Sequence, residues 1–306
     1  MTGSLPIPAK FAATVVAWEG DAGREWLARL PQLVVEVTER WELDVGAPLE
    51  PGGNISWVAP ARRVDGSEVL LKVQLPHIES EPEALALRAW DGDGAVQVHD
   101  DDPERHALLI ERCRPGRALG EATGTLDVAT IGSAIGARLH RVAPPRGLRR
   151  LEEMLDSWAD DVEDGLEPRP GRDRGLVRRA LHTMRTRPRA CPDPAFLHGD
   201  LNPTNVLSAE REAWLAIDPK PVVGDPAYDG PRLITQPDPL ETPDPADTLR
   251  RRIEIVASSY EVDIDVLRDW CLVDAVEIGE FARRRGDEEV ARSCDGHMAL
   301  LAPHLS

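Results

Sequence analysis

The sequence is short of several things that would otherwise decide its class. Its four cysteines, Cys113, Cys191, Cys271 and Cys294, lie far apart with no Cys-x-x-Cys pair. That spacing argues against a zinc knuckle or a disulfide framework and for reduced thiols. No apolar run approaches a membrane span, and Met1 to Lys10 has no basic stretch followed by an apolar core, so a cytoplasmic protein is expected. Positive charge is in deficit: 36 Lys and Arg stand against 54 Asp and Glu, a net −18 over 306 residues. Such a surface repels phosphate backbones and anionic lipid, so neither nucleic acid nor a membrane is an expected partner. A cationic ligand is tolerated, and solubility alone is the other use of such acidity. Aromatics are few, three Phe and two Tyr, although Trp contributes eight. The 24 glycines and 27 prolines are too few for low complexity, which begins at roughly 25–30% of a chain. A composition that is 42% hydrophobic and 29% charged allows a sizeable core, and the length suits about two domains. No internal repeat is visible.

Two regimes meet near Arg112 to Gly120. Before the break, short strand-like runs dominate: Ile55–Ala59, Val69–Val73, Val96–His99 and Ala107–Glu111. Turn signals separate them, among them Pro51-Gly52-Gly53-Asn54, Asp65-Gly66 and Asp91-Gly92-Asp93-Gly94, which predicts an antiparallel sheet. One helix, Pro82–Trp90, interrupts it, with Leu85, Leu87 and Trp90 as apolar positions and Pro82 at its start. After the break, Val128, Ile131, Ile135, Leu139 and Val142 recur at helical steps. Further helices are expected over Leu151–Glu163, Leu176–Arg187, Leu249–Tyr260, Asp265–Arg285 and Glu288–Leu301. The Pro- and Asp-rich stretch Gln236–Asp247 reads as an exposed loop. The fold class is therefore α+β, with a sheet-bearing domain over residues 1–112 and a mostly helical one over 113–306.

The polar groups between Phe196 and Asp229 (FLHGDLNPTNVLSAEREAWLAIDPKPVVGDPAYD) carry the chemistry. Two short strands, Asn205–Ser208 and Trp214–Ile217, flank a turn. Asp200 precedes the first, Asn205 begins it and Asp218 ends the second, so a hairpin brings all three to one edge. An aspartate base with an Asn and a second Asp is what magnesium-assisted phosphoryl transfer requires: the base takes a hydroxyl proton while hard oxygens hold Mg²⁺ on the nucleotide phosphates. The spacing Asp-x-x-x-x-Asn matches the catalytic loop of protein kinases.

In its His198-Gly199-Asp200 form this stretch resembles the aminoglycoside phosphotransferase branch of the protein-kinase-like superfamily. Ala216-Ile217-Asp218-Pro219-Lys220 and Gly224-Asp225-Pro226-Ala227-Tyr228-Asp229 are most similar to its streptomycin 6-kinase and hydroxyurea kinase subfamily. So, in the same order, are Trp57-Val58-Ala59-Pro60, Leu71-Lys72-Val73, the run from Ala86 to Val96, Leu139-His140-Arg141 and Arg211–Leu215. The resemblance spans about Arg40 to Asp229 and fades beyond. It implies a bilobal protein-kinase-like fold with the active site between the lobes, ATP and Mg²⁺ as cofactors, and an O-phosphotransferase activity.

Carried over by residue, it implies that Lys72 grips the α- and β-phosphates and that Glu83, or second to it Glu81, holds Lys72. A lysine between Leu71 and Val73 would otherwise be a costly half-buried charge; a solvated lysine on an alternating strand is the competing reading. Gly52, Gly53, Asn54 and Ser56, after Pro51, would form the phosphate-covering turn. Glu111-Arg112-Cys113 would meet the adenine edge. His198 is expected to brace its turn rather than act as a base. Asp225 and Asp229 would support the catalytic and metal loops or border the substrate site; a plain turn role competes. Two departures stand out: Asn202 where relatives often carry His, and Gly230-Pro231-Arg232, which touches the substrate side.

Pockets for polycationic acceptors are acidic in this superfamily. Asp274, Glu277 and Glu280 recur at three-residue steps on one helix face, where a guanidinium or amine of the substrate could sit. Arg283, Arg284 and Arg285 follow within a turn, so a solvated face competes. The expected activity is phosphorylation of a streptomycin-like aminoglycoside, in antibiotic resistance or in ordinary metabolism. The alternatives are a kinase of hydroxyurea, an amino sugar or another small metabolite, and a nucleotide-binding pseudokinase or regulatory module.

Overall fold

The computed structural model describes residues 5–50, 52–78, 82–122, 124–164 and 173–305. Internal contacts divide the chain into two units, Met1–Gly116 and Arg117–Ser306.

The first unit contains helix α1 (Ala9–Arg40), strands β1 (Asp44–Val45), β2 (Ser56–Arg62) and β3 (Glu68–Gln74), helix α2 (Glu83–Trp90), and strands β4 (Val98–Asp102) and β5 (Ala107–Glu111). The strands form one antiparallel sheet in the order β1-β2-β3-β5-β4, with a register shift between Val98 and Asp100. Alternation along the strands sends Trp57, Ala59, Ala61, Val69, Leu71, Val73, Ala107 and Leu109 into one cluster with Phe11, Val15, Trp26, Leu30, Val34 and Val37 of α1. Lys72, opposite Val58 and Leu108 in register, belongs to the other face.

The sequence reading has no helix at α1. Its apolar positions from Trp26 onward follow helical steps, but Pro31 and Gly20 interrupt the pattern. Gly20 takes φ 57° and ψ −124°, so α1 is two helical segments joined at a kink. The apolar face of α2 is also corrected: Glu83, Ala86, Leu87 and Trp90 are buried, whereas Leu85 is 40% exposed. A glutamate thus occupies the buried i, i+3, i+4, i+7 stripe.

The second unit contains α3 (Leu119–Ala122), α4 (Thr125–Leu139), β6 (Arg149–Arg150), α5 (Leu151–Asp164), α6 (Arg174–Ala190), β7 (Ala195–Leu197), β8 (Val206–Ser208), β9 (Trp214–Ala216), β10 (Val222–Gly224), α7 (Pro231–Thr235), α8 (Pro245–Tyr260), α9 (Ile264–Arg284) and α10 (Glu288–Leu301). Strand β10 runs parallel to β6 and antiparallel to β7, while β8 and β9 form a hairpin. Helix α9 packs against α6, α7 and α10, and α4 against α8. Close packing at α4 depends on two glycines: a Cβ at Gly132 would lie 2.5 Å from Leu233, and one at Gly136 2.3 Å from the Tyr260 hydroxyl.

Gln236–Asp247 is not simply an exposed loop. Pro239 is buried within a short 3₁₀ turn, Asp238 accepts from the His297 ring at 2.9 Å, and α8 already begins at Pro245. No helix among the described residues is long and apolar enough to cross a membrane.

Candidate active site

In the first unit, β3 and α2 bring Lys72 and Glu83 together. The Lys72 ammonium donates to both Glu83 oxygens at 2.8 and 2.7 Å, and Gln74 donates to the same carboxylate. The two side chains are 7% and 1% exposed. Burial on this scale costs several kcal/mol per ion unless the partner is present, which explains a glutamate on a buried helical stripe. Glu81 and Pro51 lie outside the described residues.

Gly52, Gly53 and Asn54 form the loop leading into β2, and Ser56 is buried opposite Gln74. The glycines serve close approach: a Cβ at Gly52 would lie 3.0 Å from the Leu49 carbonyl oxygen, and one at Gly53 3.0 Å from that of Ser56. Glu111 ends β5 and accepts from the Gln97 amide at 3.1 Å, so its carboxylate is used in holding the neighbouring chain. Cys113 is half-buried in the segment that follows.

In the second unit, the loop after β7 is held by its own buried groups. Asp229 accepts from the amides of His198 and Gly199, both at 2.8 Å, and from the His140 ring at 2.9 Å. Burial pushes its carboxyl pKa up, but the His140 bond and charge, with His198 and the Gly199 amide, outweigh that and hold it below the usual value. His198 is fully buried, which lowers its pKa and keeps it neutral. Its Nδ1 accepts from the Asp200 amide at 3.3 Å, so the proton is assigned to Nε2, which faces the Ile217 carbonyl at 3.1 Å. Both ring nitrogens are thereby committed to the backbone, and none remains for proton transfer.

Asp200 is 20% exposed. Asn202 donates to its Oδ1 at 3.1 Å, and the Lys220 ammonium stands 3.5 Å from Oδ2. Lys220 is one of only three lysines in the chain, with Lys10 and Lys72. Asn202 also accepts from the amides of Thr204 and Asn205 and from the Thr204 hydroxyl, at 2.9, 3.2 and 2.6 Å. The residue that departs from the related pattern thus ties the loop and orients the carboxylate. Sequence reasoning marks Asn202 as a departure but misses this role, although an Asn two and three residues ahead of such partners is a recognisable turn-forming pattern.

The β8–β9 hairpin fixes the other two groups. The Ile217 amide donates to the Asn205 carbonyl at 2.9 Å, which places Asn205 and Asp218 at the open end of the hairpin. The Asn205 amide nitrogen donates to the Asp200 carbonyl at 3.0 Å, so the atom left to meet a cation is its oxygen. Asp218 takes φ 56°, a left-handed conformation that Asp tolerates and that concentrates at functional sites. Among the described residues no three His, Cys, Asp or Glu side chains are grouped to hold a metal by themselves. One carboxylate and one amide oxygen fit Mg²⁺, which keeps waters and takes further oxygens from phosphates.

A cleft in this unit is lined by Asp200, Asp229, Trp158, Tyr228, Trp270, Arg232, Asp274 and Glu277, among others. Of the carboxylates expected at the substrate, Asp274 and Glu277 are therefore brought to Asp200. Asp229 is at the lining too, with its oxygens committed as above. Asp225 is not: it accepts from the Ala227 amide and from the Trp270 indole, both at 3.0 Å, and so positions a wall of the cleft. Glu280 is not either; it is 2% exposed and accepts from Arg283 at 2.9 Å. Arg232, of the stretch expected on the substrate side, lines the cleft as well, and its Nε donates to Asp274 at 2.6 Å, a pairing that the sequence does not show.

An antiparallel sheet unit with a buried lysine–glutamate pair, followed by a helical unit carrying Asp200, Asn205 and Asp218 on one loop and hairpin, has the parts of a protein-kinase-like phosphotransferase. Over residues 40–286 the sequence matches the model of the aminoglycoside/hydroxyurea antibiotic resistance kinases, and the chain belongs to that family. It is 35% identical over 270 residues to a streptomycin 6-kinase from Streptomyces griseus, covering 88% of each chain. It is 39% identical over 235 residues to a hydroxyurea phosphotransferase from Kitasatospora aureofaciens, covering 74% of this chain and 66% of that one. The solved structure of choline kinase LicA from Streptococcus pneumoniae shares the fold at a TM-score of 0.62 and 16% identity, over 90% of this chain and 99% of that one. A thermostable mutant of aminoglycoside phosphotransferase APH(4)-Ia, solved with ADP and hygromycin B, shares it at 0.62 and 15%, over 87% and 96%. The bilobal kinase-like architecture and membership of a phosphotransferase family are thereby established.

Proposed function

We propose that the protein is an ATP- and Mg²⁺-dependent kinase that phosphorylates a hydroxyl of a small cationic aminocyclitol of the streptomycin kind, in the cytoplasm where ATP is available. The observation that carries the reading is the grouping of Asp200, Asn205 and Asp218 at one loop and hairpin end, with Asp200 opening onto a cleft that also holds Asp274 and Glu277. Support comes from the streptomycin 6-kinases among its relatives.

In this reading the acceptor hydroxyl lies in the cleft against Asp200. Its oxygen forms a bond to the γ-phosphorus as the bond to the β,γ-bridging oxygen breaks; Asp200 takes the hydroxyl proton and ADP leaves with the electron pair. Asn205 and Asp218 hold Mg²⁺, which when bound neutralises charge on the phosphates. Lys72, fixed by Glu83, binds the α- and β-phosphates. Trp158, Trp270 and Tyr228 wall the acceptor in and exclude water from it.

The test is phosphate transfer from ATP to streptomycin by the purified protein, with susceptibility of a host expressing it measured in parallel. Wild type should transfer phosphate and protect the host, and Asp218→Asn should do neither. Substantial activity in Asp218→Asn rules out the metal role, and turnover of an uncharged acceptor with none of streptomycin rules out the cationic one. Phosphorylation of hydroxyurea, an uncharged molecule, is the second reading, favoured by the Arg232–Asp274 pair: a cation of the chain itself occupies a carboxylate of the cleft.

A further inference from the structure

The cleft beside Asp200 is not uniformly acidic. Arg232 leaves the short helix α7 and donates to Asp274 of α9, and the two side chains remain 30% and 18% exposed, so the pair is part of the cleft wall rather than of the core. The backbone that carries the arginine is held at both ends of α7, and the guanidinium by its bond to Asp274. Arg252, wholly buried, donates from one nitrogen to the carbonyls of Ile234 and Pro237, at 2.7 and 2.6 Å, closing the C-terminal end of α7. At the other end, a Cβ on Gly230 would lie 2.6 Å from Leu267 and 3.0 Å from Val256. Burial pulls the Arg232 pKa down, but the charges of Asp274 and Asp200 and the bond to Asp274, with Glu277 behind them, outweigh it, and the guanidinium keeps its charge at any working pH.

A fixed guanidinium has two effects on a ligand. It satisfies Asp274, which therefore no longer attracts a second cation, and it presents N–H donors in a rigid fork and accepts nothing. A neutral oxygen gains from such a neighbour, whereas an amine or guanidinium is repelled by it in a medium that screens poorly.

We propose that Arg232 is a specificity-determining residue of the acceptor site: it occupies Asp274, so that the part of the acceptor seated there is a neutral, oxygen-bearing group, a hydroxyl, ether or carbonyl, and any cationic part is met elsewhere in the cleft. The inference rests on this cleft being the acceptor site.

The experiment is calorimetric titration of streptomycin, a polycation, and hydroxyurea, a neutral carbonyl compound, into wild type and the variants Arg232→Gln, Arg232→Lys, Asp274→Asn and Arg232→Gln/Asp274→Asn. Arg232→Gln should improve the affinity for streptomycin relative to hydroxyurea at least tenfold. Asp274→Asn should shift the same ratio at least tenfold the other way, and this mirror variant carries the test if Arg232→Gln unfolds. The double variant should return towards wild type, and Arg232→Lys should stay within threefold of it. A merely structural role would weaken both ligands alike and leave the ratio unmoved. A ratio constant within threefold in the folded single variants, or no streptomycin binding by folded Arg232→Gln, overturns the proposal. Failure of wild type to phosphorylate either compound refutes instead the acceptor assignment, which is read from turnover and not from these affinities.

Discussion

The replacement of Gly199 by Ala puts the site geometry to a quantitative test. Gly199 takes φ +79°, and an ideal Cβ there would lie 1.9 Å from the Lys220 carbonyl oxygen, where real Cβ contacts essentially never fall under 3.0 Å. The backbones must therefore part by about 1 Å or more. Neither yields easily, because the Lys220 amide donates to the His198 carbonyl at 2.9 Å and the Gly199 amide to Asp229 at 2.8 Å. The left-handed conformation costs an alanine about 1–2 kcal/mol. Losing the two hydrogen bonds adds about 1 kcal/mol each. The total, about 3–4 kcal/mol, should lower Tm by roughly 6–16 °C at about 2–4 °C per kcal/mol. Asp200 is the next residue, and a displacement of about 1 Å costs about a hundredfold in rate. The assay is ADP release with the preferred acceptor, read on the preparation whose Tm is measured. Gly147→Ala is the control, since Gly147 takes φ +93° with nothing within 4 Å of its Cβ position; it should show the strain cost alone and normal kcat. A Gly199→Ala enzyme within threefold of wild-type kcat and within 2 °C of its Tm would refute the reasoning.

Glu83→Gln leaves the Lys72 ammonium buried without its counter-charge and should cost about 3–5 kcal/mol in urea unfolding; Lys72→Met/Glu83→Gln should cost less than the sum of its single changes, and additivity would deny the pairing. Asp229→Asn tests a group whose folded pKa is depressed: its contribution is complete above the unfolded value of about 3.9 and lost as pH falls through the lower folded value. The stability gap between wild type and this variant should thus be full at pH 7 and narrow below about pH 4, and a pH-independent gap would contradict the ionised assignment. Asn202→Ala should lower kcat about tenfold or more with little change in acceptor KM, because it frees Asp200 from one donor without touching the cleft wall; a rise in KM at unchanged kcat would show that Asn202 binds substrate instead.

Periodicity made most of the fold legible. Strand β5 and helix α10 have the boundaries expected from the sequence, and the sheet is antiparallel because its runs are short, alternating and separated by turns. Helix α1 escaped because Pro31 and Gly20 break its pattern; what makes it a helix is tertiary, the burial of Trp26, Leu30, Val34 and Val37 against the sheet. Leu85 was misplaced for a related reason. Hydrophobicity alone puts it inside α2, but the buried stripe is set by Glu83, whose ion pair no apolar count detects.

The candidate site was legible where its order is local. Asp200, Asn205 and Asp218 share one loop and one hairpin, so spacing suffices to bring them together. The acidic residues are different, because what each does depends on a partner distant in sequence. Asp229 is held by His140 and by the amides of His198 and Gly199, Asp225 by the Trp270 indole, Asp274 by Arg232 and Glu280 by Arg283. A net charge of −18 describes the field that a cationic molecule feels on approach. Inside the cleft the relevant quantity is how many carboxylates still lack a counter-charge, and the chain has already supplied one at Asp274. Acidity can therefore speed the arrival of a cation without fixing where it binds, and Arg232 sets which part of the acceptor meets Asp274.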